Sequence, residues 1–118
     1  MIFSTLAALA LTAQATQTLP SNEVLAQIKT ELLEMEGVAD VSVALSTENK
    51  TVWQLQSYRL QPLNRYYDAC RTIARNGAMD DNIDVMFVSD LAAMAKSKTP
   101  EDYSMGRFNC ASWAYYAY

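Results

Sequence analysis

Histidine is missing from all 118 residues. That one absence removes the Ser-His-Asp and Cys-His nucleophile systems and the usual zinc sites. Glycine is scarce: Gly37, Gly77 and Gly106 are the only three, too scattered for a G-x-G-x-x-G or Walker loop that cradles phosphate. Positive charge is in the minority, nine Lys and Arg against thirteen Asp and Glu for a net charge of −4, so a polyanion such as nucleic acid meets no electrostatic footprint. No charged side chain precedes Glu23, and the apolar run Ile2 to Leu11 falls well short of the roughly 20 residues of a membrane-spanning helix. Asp80, Asn82 and Asp84 have the spacing of the first ligands of a calcium loop. Val85 stands where that loop needs Gly and Leu91 where it needs Glu, which rejects an EF-hand. Carboxylates for glycoside hydrolysis are present in Glu31, Glu34, Glu36, Asp40 and Asp68, but those borne on a helix fall on its polar face, where solvation is the default. The expectation is a protein that is not an enzyme and has no cofactor, metal or catalytic residue.

What the chain does contain points to export. The uncharged opening ends in Thr12-Ala13-Gln14-Ala15, with small residues spaced as in an A-x-A cleavage site. Residues 1–15 therefore read as a signal peptide lacking the usual basic start, and 16–118 as a single domain, the size one hydrophobic core supports. Apolar residues at 51% and charged ones at 19% are those of a folding chain. Two cysteines, Cys70 and Cys110, suit a disulfide in an oxidising compartment better than a metal site. Closing so long a loop is worth about 4 kcal/mol by chain-entropy reasoning. The competing reading is a reactive thiol at Cys70, with Arg71 and Arg75 close by on a helix. The expected location is periplasmic or secreted.

Apolar periodicity supplies the elements. Ser21 caps a helix in which Val24, Leu25, Ile28, Leu32 and Met35 share a face, running to Gly37. VADVSVALS alternates as a strand, Thr47 to Lys50 turns, and TVWQLQSYRLQ returns as the second arm of a hairpin. Pro62 opens a second helix that carries Cys70 on its apolar face and stops at Asn76-Gly77. NIDVMFVSD, apolar almost throughout, reads as a central strand. Ser89 or Asp90 caps a short helix, and Thr99-Pro100-Glu101-Asp102 starts another turn. The tail MGRFNCASWAYYAY fits strand and helix equally. The fold class is thus α+β, a two-layer sandwich of order αββαβ with a helical and aromatic C-terminal extension.

In that order, VLAQIKTELLEMEGVADVSVAL resembles the first helix and strand of the BON-type domains of exported bacterial proteins. TVWQLQS is similar to their second strand and ACRTIARNG to their second helix, so the resemblance covers Ser21 to Ser89. The chain departs from the family at its turns, where the usual glycines are replaced by Glu48-Asn49-Lys50, Gln56-Ser57 and Met79-Asp80-Asp81-Asn82. The helix-then-strand segment is also similar to half of a ferredoxin-like heavy-metal-associated domain, whose Cys-x-x-Cys is absent. The BON resemblance implies attachment at the cell envelope, to phospholipid or another envelope component.

Two groups of residues are candidates for binding. Arg59, Arg65, Arg71 and Arg75 gather on and before the second helix, where guanidinium groups receive phosphate or carboxylate from a headgroup or an acidic partner. The opposing reading is local pairing with Asp68 and solvation. Phe108, Trp113, Tyr115, Tyr116 and Tyr118 crowd the C-terminus as core residues or as anchors for a protein partner. These give two functional readings. One is an envelope domain that binds an anionic headgroup or acidic partner; the alternative is a secreted inhibitor or immunity-type protein that docks through its aromatic tail.

Overall fold

The computed structural model describes residues 19–78 and 82–116. The expected signal peptide, Asp80 and Tyr118 lie outside them. Helix α1 (Asn22–Leu33) starts where the Ser21 hydroxyl accepts from Val24 N, and it stops at Glu34, three residues short of the predicted glycine. Strands β1 (Asp40–Leu45) and β2 (Thr51–Gln56) form the expected antiparallel hairpin. Its turn is held by Ser46 Oγ, which accepts from Glu48 N and Lys50 N, and by Asn49 at φ 63°, a left-handed conformation that Asn tolerates. Helix α2 (Leu63–Arg75) then crosses to β3 (Ile83–Val88), which runs parallel to β2. Asp90 caps the short α3 (Leu91–Lys96) by accepting from Ala93 N at 3.0 Å, and a 3-10 turn occupies Pro100–Tyr103.

The tail resolves as strand: β4 (Ser104–Asn109) and β5 (Tyr115–Tyr116) extend the sheet, whose order is β1-β2-β3-β4-β5. β3 is therefore central, as its apolar run, interrupted only by Asp84, suggests. The class is α+β, with the αββαβ core anticipated from the sequence.

The period of two sorts each strand into two faces. Val41, Trp53, Leu55, Val85, Phe87 and Phe108 face Ile28 and Leu32 of α1 and Tyr66, Ala69 and Ile73 of α2 in one closed core. On the other face Val88 packs with Leu91 and Met94 of α3, a smaller cluster that covers only part of the sheet. Val43 is half-buried and Leu45 is 45% exposed, so the helix cover fades along β1, an edge strand. Cys70 of α2 and Cys110, just past β4, form a disulfide with Cα atoms 5.5 Å apart. Among the described residues no helix is long and apolar enough to cross a membrane.

Candidate functional site

The segment between β2 and α2 must turn from the sheet into a helix, and it does so on a polar scaffold. Ser57, 1% exposed, donates its backbone N–H to Val88 O at 2.9 Å. Its hydroxyl donates to Arg59 O at 3.1 Å and accepts from Gln61 Nε2 at 2.7 Å. Gln61 Oε1 accepts in turn from Arg65 Nε at 3.3 Å. One glutamine side chain thus links the end of β2 to the first turn of α2 and orients the guanidinium there.

This scaffold has two consequences. First, Arg59 and Arg65 line one concavity of about 540 Å³ together with Ser57, Gln61 and Gly37, while Glu36 is exposed at its rim. Second, the loop pushes apolar side chains outward. Tyr58 is 80% exposed, Leu60 73% and Leu63 41%, so two large apolar residues flank Arg59 in sequence and stand in water. The first turn of α2 has no side-chain cap, because Pro62 occupies the N-cap. The positive end of the helix dipole lies beside Arg65.

The structure divides the four predicted arginines. Arg71 pairs with Asp68 one turn before it, and Arg75 bridges to Glu31 of α1 at 3.1 Å. Glu31 also accepts from Gln27 Nε2 at 2.7 Å and Asn76 Nδ2 at 3.2 Å. The hydrogen bonds from Gln27, Asn76 and Arg75 hold its carboxyl below the usual glutamate range. Arg71 and Arg75 therefore serve carboxylate pairs, one within α2 and one to α1, and Arg59 and Arg65 are the two that share a concavity.

The aromatic candidates also separate. Phe108 is fully buried with its ring 5.2 Å from Tyr67 and 5.7 Å from Trp113. Trp113 packs against Tyr67 at 4.4 Å yet is 51% exposed. Tyr115 lies 5.3 Å from Tyr66 and, like Tyr116, is about half exposed, at 42% and 49%. Tyr66 is wholly enclosed, and burial, reinforced by Tyr115, pushes its phenol well above the usual range.

The sequence singled out Asp84 only as a rejected calcium ligand, and its actual role, with Arg107, Asn109 and Lys50 around it, was missed. Asp84, 1% exposed inside β3, accepts from Arg107 Nε at 2.6 Å and Asn109 Nδ2 at 2.8 Å, with Lys50 Nζ at 3.7 Å. Arg107 Nη2 is buried with no hydrogen-bond partner, a situation that costs roughly 1–3 kcal/mol. The available signal was an aspartate in an otherwise apolar strand and the lone arginine of an aromatic tail. Among the described residues no cluster of Cys, Asp or Glu could hold a metal ion. No protein-family profile, curated protein or solved structure matches the chain.

Proposed function

We propose that this protein is an exported, non-enzymatic domain of the bacterial envelope that docks on an anionic headgroup surface through the β2–α2 loop. The observation that carries the reading is the exposure of Tyr58 and Leu60 on either side of Arg59, with Arg65 in the same concavity. Apolar side chains that enter the boundary of a bilayer, ringed by arginines that meet its phosphates, are the two ingredients of interfacial binding. Tyr is favoured at that depth because its ring is amphipathic. The disulfide suits an oxidising compartment, and the reading agrees with the BON-type resemblance of Ser21 to Ser89.

Co-sedimentation of the full chain with phosphatidylglycerol vesicles tests it. Retention should fall as salt rises and be absent on phosphatidylcholine. At about 1 kcal/mol per arginine near the surface, Arg59→Glu with Arg65→Glu should weaken binding at least about thirtyfold. Arg71→Glu with Arg75→Glu should leave most of it. Equal loss in both double variants would reduce the effect to net charge and refute the site.

A second reading is favoured by a separate observation: Trp113 and Tyr116 stand about half in water, at 51% and 49%. A secreted inhibitor or immunity-type protein would use them as anchors on one protein partner. In that case Trp113→Ala with Tyr116→Ala abolishes capture of that partner and leaves vesicle binding unchanged.

A further inference from the structure

The face of the sheet opposite α1 and α2 holds a groove of about 610 Å³, within the range of small-molecule sites. Ala44, Val52 and Met86 form its floor across three strands, and Leu91, Met94 and Pro100 form its wall. From β1 to β4 the floor crosses three inter-strand spacings, roughly 14 Å. The site is long, mainly apolar and separate from the β2–α2 loop.

Its polar end is Arg107, which sits beside Met86 in the register and lines the groove. Asp84 is the only carboxylate among the described residues paired with Arg107 and Lys50, so one buried negative charge serves two cations. Among the described residues one positive charge of this cluster is left over. The guanidinium also carries the Nη2 group that lacks a hydrogen-bond partner, and its side chain remains 20% exposed. The groove's own acidic residues, Asp40 and Glu101, are exposed on its rim, and Asp40 Oδ1 already accepts from Val41 N.

We propose that this groove binds an amphipathic carboxylate, with a linear acyl chain laid along the floor beneath α3 and its carboxylate on Arg107. The apolar walls remove the chain from water, and the anionic head neutralises the surplus charge of the part-exposed Arg107 side chain. Orientation follows, because among the described residues that line the groove Arg107 alone is a cation.

Isothermal titration of the disulfide-intact chain with dodecanoate below its micellar concentration tests the proposal, with dodecylammonium as the charge-reversed probe. Saturable one-to-one heat is expected with dodecanoate and none with dodecylammonium. Arg107→Gln should weaken dodecanoate by roughly tenfold or more. Because that variant also disturbs Asp84, Ala44→Trp provides a second arm: Ala44 is exposed on the floor and lies two strands from Asp84 in the register, so a bulky ring there should fill the groove and leave the Arg107–Asp84 pair in place. It should abolish binding while circular dichroism stays unchanged. Equal heats with both probes, or binding that survives Ala44→Trp, would overturn the proposal. Arg59→Glu with Arg65→Glu should keep full dodecanoate affinity, so the groove and the loop fail independently.

Discussion

Gly106 shows how far one residue constrains this chain. Its φ of 146° is costly for any side chain, and a Cβ there would fall inside contact distance of the hydroxyls of Tyr66 and Tyr115. Tyr66 cannot retreat, since it is fully enclosed and stacks edge-on to Phe87 at 4.9 Å. Gly106→Ala should therefore cost at least about 2 kcal/mol, read as a lower urea midpoint at unchanged slope. Asp84 is the second such residue. Asp84→Asn deprives Arg107 and Lys50 of their counter-charge and should cost about 2–3 kcal/mol, the low side for a broken buried pair because both cations retain some solvent. Chemical denaturation checks it, and a change below about 0.5 kcal/mol would mean that the carboxylate contributes little. Neither residue was legible as critical in the sequence. A glycine's close approach and an aspartate's burial depend on which segments meet them, and those segments lie elsewhere in the chain.

At the scale of elements, α1 and α2 are joined on their outer side through Glu31, which gathers Arg75, Asn76 and Gln27. Its carboxyl is held low by those hydrogen bonds, so the folded state favours the charged form. The resulting stability is fully present above the ordinary glutamate value of 4.5 and disappears as pH falls through the lower folded-state value. Denaturation midpoints of wild type and Glu31→Gln should differ at pH 7 and converge in acid; a constant gap would assign the effect to shape instead of charge. The disulfide fastens α2 to the end of β4 in a similar way, across 40 residues of chain. Replacing Cys70 and Cys110 together by serine should lower stability by about 4 kcal/mol. Helices and the hairpin were readable from period and caps, because both signals are local. The tail was not, since MGRFNC alternates too briefly to choose a type, and it becomes a strand only because β3 offers a free edge.

For the whole molecule, the sheet separates two kinds of surface. One face is sealed by α1 and α2, and the other is only partly covered by α3, which leaves the groove. The arginine loop sits at a different place, at the end of β2. The proposed docking of an acidic protein on anionic vesicles requires a local patch, so retention should depend steeply on ionic strength and little on overall charge. Replacing Glu101 and Asp102 by glutamine lowers the net negative charge at the 3-10 turn and should shift vesicle retention far less than changes at Arg59 and Arg65. Retention that rises as strongly would place the interaction in the bulk charge.

The sequence by itself determined the α+β class, the hairpin, the central strand and the amphipathic helices, because hydrophobic period and capping residues act within a few positions of one another. It also named the two cysteines that bond and, among four candidate arginines, the two that line the β2–α2 concavity. Only the tertiary structure decided which arginines stay free of carboxylate partners, since pairing of Arg75 with Glu31 joins residues 44 positions apart. The same holds for the buried Asp84 and the open groove. They exist because strands distant in sequence align in register, and no local pattern records what lies across a sheet.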